Sequence, residues 1–126
     1  MIFGIGTDIV RVERMDKNLL RYGDKFARRI LSAAEFSDFK NAGQPAHFLA
    51  KRFAAKEAVV KAMGTGFADG VEMKQITVGH NESGKPELVI DGVAKEFLVK
   101  NDITGLHVSI ADEQDHAVAF VTLSTS

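Results

Sequence analysis

The stretch from Pro45 to Gly64 constrains the fold more than any other. A proline suited to a first helical turn and a glycine suited to a helix end predict one long helix between them. At about 100° per residue, Leu49, Phe53, Val60 and Met63 fall on one stripe, with Lys56 inside it and Arg52 at its border. Ala50, Ala54, Ala55, Ala58 and Ala62 cover much of the remainder. A helix so short of polar surface is packed on most sides, so its Arg52, Lys56, Glu57 and Lys61 need partners. Glu57 and Lys61 are four apart and share a face. They are either an ordinary ion pair worth a few tenths of a kcal/mol or part of a site for metal and phosphate.

The other elements are expected around this helix. Residues 2 to 10 alternate apolar and small side chains and close on Thr7 and Asp8, a buried strand ending in a polar turn. Val12, Met15 and Leu19 form a helical stripe, Gly23 and Asp24 divide the segment into two short helices, and Ser32 with Glu35 has capping-box spacing for a helix to about Lys40. Val71 to Val78 and Glu87 to Ile90 are expected as strands around the turn-rich Gly79 to Pro86. Asp91 is placed to cap a helix from Gly92 to about Lys100, with Val93, Phe97 and Leu98 inward. Leu106 to Ala111 and His116 to Leu123 flank an acidic turn. The order β, helices, hairpin, helix, hairpin predicts an α+β fold in which a long central helix meets a largely antiparallel sheet.

At 126 residues and 45% hydrophobic, one domain with its own core is expected. The absence of cysteine excludes disulfides, cysteine-ligated zinc and thiol nucleophiles. The opening MIFGIGTDIV lacks a basic flank and a long apolar run, so neither a signal peptide nor a membrane span is expected and the cytoplasm is the default. A net charge of -1 hides a basic segment: residues 11 to 29 carry seven cations against three anions, whereas residues 71 to 126 carry four against nine. A local acidic partner suits that asymmetry better than nucleic acid does, and a merely solvated helix is the plain alternative.

Two glycine motifs fail on context. Gly4 and Gly6 lie inside a strand, with Ile9 where a dinucleotide fingerprint needs its third glycine. The run Gly79 to Lys85 has P-loop spacing, but Pro86 replaces the magnesium-binding hydroxyl and a strand follows where a helix is required. His47, His80 and His116 have no ligand spacing and are expected in loops or at exposed ends, and His107 shares a strand face with Ser109. Asp8, at the end of a buried strand, must cap, pair or bind a cation. With Glu57 it could hold a Mg²⁺, with Lys61 meeting phosphate charge.

Several of these pieces together resemble holo-acyl-carrier-protein synthase, the small bacterial type of 4′-phosphopantetheinyl transferase. They are Ile5 to Val10, Phe48 to Ala58 continuing through Lys61 to Gly66, Gly84-Lys85-Pro86 and His107-Val108-Ser109. The resemblance spans essentially the whole chain. It implies transfer of phosphopantetheine from coenzyme A to a serine of an apo acyl carrier protein, releasing adenosine 3′,5′-bisphosphate and supporting fatty acid biosynthesis. It implies Asp8 and Glu57 as Mg²⁺ ligands and Lys61 as a contact to the coenzyme pyrophosphate, with Glu57 and Lys61 the catalytic pair. It also implies Arg52, Lys56, Gly84, Pro86 and His107 around the nucleotide and its 3′-phosphate, and a homotrimer with sites across subunit boundaries. Acyl carrier proteins are acidic, so Arg14, Arg21, Lys25 and Arg28 are expected to dock the carrier; no nucleic acid or membrane is expected as a partner. From the residues alone, a non-enzymatic adaptor and a Mg²⁺-dependent nucleotide hydrolase are the rival readings.

Overall fold

Glycines bring the first strand and the long helix together. The computed structural model describes all 126 residues, and in it β1 (Ile2–Arg11) lies directly on α4 (Pro45–Met63). A methyl group added at Gly4 would overlap the carbonyl oxygen of Ala62, and one at Gly6 that of Ala58. Strand and helix backbones therefore meet where larger side chains would hold them apart.

Between β1 and α4 run α1 (Val12–Tyr22), α2 (Asp24–Ile30) and α3 (Ala33–Phe39), in the order the stop and cap signals predict. Gly23 links the first two with φ 62°. The capping box of α3 is complete: Ser32 Oγ accepts from Glu35 N at 3.4 Å and Glu35 Oε1 from Ser32 N at 2.9 Å. α4 starts with Pro45 at its first turn and stops at Gly64, whose φ of 81° is the left-handed cap glycine favours.

The strands form two antiparallel sheets. β1 pairs with β5 (His116–Thr125), which pairs with β4 (Ile103–Asp112), giving the order β1-β5-β4; β2 (Ile76–His80) and β3 (Pro86–Ile90) make a separate hairpin. The long helix covers one face of the larger sheet. Along β5 the alternation is plain: Ala117, Ala119, Val121 and Leu123 are buried toward the helix, while Val118 and Phe120 point outward. The final strand is thus both a core strand and an open apolar face.

Four expectations need correction. The strand expected from Val71 begins only at Ile76, because Met73–Gln75 forms a 3₁₀ turn closed by reciprocal bonds between Glu72 and Gln75. Asp91 places no side-chain cap on α5 (Gly92–Lys100); the carbonyl oxygen Oε1 of Gln75 accepts from Ala94 N at 3.0 Å instead. On α5 Leu98 is buried and Phe97 packs against the core as expected, whereas Val93 is 37% exposed and Ala94 takes the inward place expected of it. His80 closes β2 rather than lying in the following turn.

Candidate active site

The strand-on-helix contact brings one end of β1 beside the last turns of α4. Asp8 lies on the helix-facing side of β1, in register with Gly6 and Val10, and its side chain is 17% exposed. Lys61 reaches across: its Nζ donates to Asp8 Oδ1 at 3.0 Å and to the Thr7 carbonyl at 3.1 Å. The ion pair of Lys61 is therefore with Asp8, not the helical i,i+4 pair with Glu57. Glu57 sits one turn earlier, partly buried. Burial first, and then the charge of Asp8, push its carboxyl above the usual carboxylate range, while Lys61 and Arg14 pull it back.

The charge of Asp8 is felt at Glu57, and a cation between the two carboxylates would relieve that repulsion. An all-oxygen donor set suits a hard cation such as Mg²⁺, which takes one or two protein carboxylates and fills its shell with waters and phosphate oxygens. No group of three or more His, Asp or Glu side chains is placed to hold a metal ion; Asp8 and Glu57 are two carboxylates that could hold such a cation together with non-protein ligands.

Lys56 and Arg52 occupy a different place, and for Lys56 this is a correction. Its ammonium is fully buried and donates to Glu35 Oε1 at 2.5 Å, Ile30 O at 2.6 Å and Met73 O at 3.0 Å. All three protons are used inside the protein, so Lys56 ties α2, α3 and the 3₁₀ turn to α4 and does not reach a coenzyme. Arg52 stacks its guanidinium 3.7 Å from the Phe48 ring centroid, with Nε 3.7 Å from Glu35 Oε2. That Nε is the one buried side-chain polar atom without a hydrogen bond. Burial first, then the charges of Arg52 and Lys51, hold His80 below its ordinary range, which marks a positive region at the end of β2.

Glu35 is the residue sequence reasoning missed as more than a cap. Besides closing the capping box, it accepts from Lys56 through Oε1 and from Val78 N through Oε2 at 2.9 Å, and it is 1% exposed. The signal was present: two cations embedded in an apolar helix require a buried anion.

Pro86 and His107 come together apart from the carboxylates. With Asn81, Lys85 and Leu106 they line a polar cleft of about 360 Å³ between the β2–β3 hairpin and β4. Gly84 is in the turn above it, with φ 86°. His107 is on the outward face of the large sheet, whereas Asp8 is on the helix-facing side. Arg14, Arg21, Lys25 and Arg28 are spread over α1 and α2. Lys25 borders a groove of about 340 Å³ with Tyr22, Phe26 and Arg29. Arg14 and Arg28 lie over the rings of Phe53 and Phe36 at 5.0 and 4.1 Å.

Comparison with known proteins decides the family. Residues 4–121 match the family model of the 4′-phosphopantetheinyl transferase superfamily. The chain belongs to that superfamily. The transferase is 54% identical to the holo-[acyl-carrier-protein] synthase of Nitrosococcus oceani over 123 residues, covering 98% of this chain and 80% of that protein. Its fold matches the crystal structure of the Neisseria meningitidis synthase with a TM-score of 0.94 at 42% identity, covering 99% of this chain and all of the other (100%). It also matches the Bacillus anthracis synthase solved in complex with CoA (3′,5′-ADP), with a TM-score of 0.84 at 38% identity over 100% and 99% of the two chains. The α+β fold of antiparallel sheets with a long helix on them is thus the fold of these enzymes. No helix of the transferase is long and apolar enough to cross a membrane.

Proposed function

We propose that this transferase, as a single domain, moves the 4′-phosphopantetheine group of coenzyme A onto a serine hydroxyl of an apo acyl carrier protein in a Mg²⁺-dependent reaction. The products are holo carrier, which serves fatty acid biosynthesis, and adenosine 3′,5′-bisphosphate. The observation that supports it most is the mutually repelling pair Asp8 and Glu57 with Lys61 beside them, in a chain of this family. A Mg²⁺ on that pair would neutralise charge on the diphosphate and help align an in-line displacement.

The chain's own residues divide the remaining work. Asp8 and Glu57 supply the cation's protein ligands, and Lys61 places an ammonium beside the diphosphate, where it favours the departing bisphosphate. No side chain here need become a covalent nucleophile, because the attacking hydroxyl belongs to the carrier. Arg52 of α4, whose charge reaches His80 at the end of β2, meets anionic groups of the coenzyme, and Gly84, Pro86 and His107 receive its nucleotide. Arg14, Arg21, Lys25 and Arg28 draw in the acidic carrier and raise the rate of encounter.

One chain does not bring both halves of this site together, since His107 and Asp8 lie on opposite faces of the sheet. The outward face carries Ile5 at 58%, Ile9 at 65%, Val118 at 37% and Phe120 at 47% exposure, an apolar patch of the kind that marks an interface. A homotrimer joined through it would let two subunits share one site, the His107 cleft coming from one and the carboxylates from the other. Sedimentation of wild type and Phe120→Glu checks this: trimer for the former and a smaller species for the latter are expected, and a wild-type monomer contradicts it. The cytoplasm is the proposed location, with neither nucleic acid nor membrane as partner, and cell fractionation tests it.

Release of adenosine 3′,5′-bisphosphate, followed by chromatography with and without an apo carrier, tests the reaction class. Release only when carrier and Mg²⁺ are both present is expected. Release without carrier is the behaviour of a nucleotide hydrolase and would refute transfer.

A further inference from the structure

Lys61 binds oxygen atoms that a cation at Asp8 would also need. Its ammonium is held by one carboxylate oxygen, Asp8 Oδ1, and one main-chain carbonyl, Thr7 O, at 3.0 and 3.1 Å. A divalent cation on the same carboxylate would face that ammonium at close range, where like charges repel. The Lys61 side chain is 52% exposed on a flexible stem, so its head can leave Asp8 without disturbing α4, where Val59, Val60 and Ala62 beside it are buried.

We propose that Lys61 is an exchangeable counter-ion of Asp8, which competes with the divalent cation until the diphosphate of the coenzyme draws its ammonium away. The inference rests on the two-carboxylate metal site proposed above. Its consequence is coupling: coenzyme tightens cation binding by removing a competitor as well as by adding phosphate ligands, and by linkage the cation tightens coenzyme binding equally. Arg14 is the built-in comparator. Its charge acts on Glu57, but its guanidinium lies over Phe53 and makes no ion pair with Asp8.

Titration of the full chain with Mn²⁺ at neutral pH, read as free Mn²⁺ by electron paramagnetic resonance, tests the competition. Wild type, Lys61→Met and Arg14→Met are compared without coenzyme and then with saturating coenzyme A. Without coenzyme, Lys61→Met is expected to bind Mn²⁺ about fivefold more tightly than wild type, the upper worth of an exposed ion pair. Arg14→Met is expected to gain less than about twofold through its screened field. Coenzyme A is expected to tighten Mn²⁺ binding more in wild type than in Lys61→Met. Wild-type affinity in Lys61→Met overturns the proposal, and so does an equal gain in Arg14→Met, which would show charge alone at work. Mn²⁺ that binds no variant even with coenzyme A overturns the metal site itself, a result separate from either of those.

Discussion

Removing the carboxylate of Glu35 strands two cations inside the protein, and the cost follows from the geometry. Lys56 is fully buried with Glu35 Oε1 at 2.5 Å, and Arg52 Nε is 3.7 Å from Oε2. Breaking a buried pair by deleting one partner costs about 3–5 kcal/mol. Against a total stability of about 5–15 kcal/mol for a domain, that is a fifth or more. With an unfolding entropy of about 2.1 cal/mol/K per residue over 126 residues, Glu35→Ala should lower Tm by about 11–19 °C. Lys56→Met should cost less, because Glu35 keeps Arg52 and its bonds from Ser32 N and Val78 N. The double variant should cost less than the sum of the two by about 2 kcal/mol, since the contacting pair is removed together. Thermal unfolding followed by circular dichroism at pH 7.5 measures all four corners of the cycle. A Tm drop for Glu35→Ala below about 4 °C, roughly 1 kcal/mol on the same scale, would refute the buried ionic link between α3 and α4.

Gly6→Ala should cost more than about 3 kcal/mol, because the new methyl overlaps the Ala58 carbonyl, whereas Gly43→Ala meets nothing within 4 Å and should be near neutral; urea unfolding compares them. Glu57 has its folded pKa raised, so in EDTA the folded state holds its proton more tightly than the unfolded state does, and stability falls as pH rises from about 4.5 through the raised value. Glu57→Gln should therefore raise Tm at pH 7.5 and lose that advantage toward pH 4.5, and an equal gain at both pH values would contradict the assigned cause. Arg14→Ala with Arg21→Ala should raise KM for the carrier, most at low salt, and leave coenzyme A binding by calorimetry unchanged. Equal losses for both ligands would remove the docking role.

Much of the fold is legible in the chain because its signals are local. Pro45 and Gly64 bound α4, Ser32 and Glu35 open α3, and Gly23 divides α1 from α2. The failures arise where a distant group supplies what a local residue was expected to give. Gln75 caps α5 in place of Asp91, and the same Gln75 holds the turn that shortens β2. At the site, Asp8, Glu57 and Lys61 could be grouped by their cost in an apolar setting, and the structure brings Lys61 onto Asp8. Lys56 carries the same charge on the same helix but points to the opposite side, into Glu35. Spacing along one helix shows that a buried lysine needs a partner and not which one it finds, because Glu35 lies 21 residues away on another element.

The central claim is tested most directly by intact-protein mass spectrometry of an apo acyl carrier protein incubated with coenzyme A, Mg²⁺ and this transferase, beside EDTA and Glu57→Ala controls. The account predicts a carrier heavier by one phosphopantetheine group, with the gain lost in both controls. An unmodified carrier in the presence of folded transferase, or a gain that survives EDTA and Glu57→Ala, would contradict it.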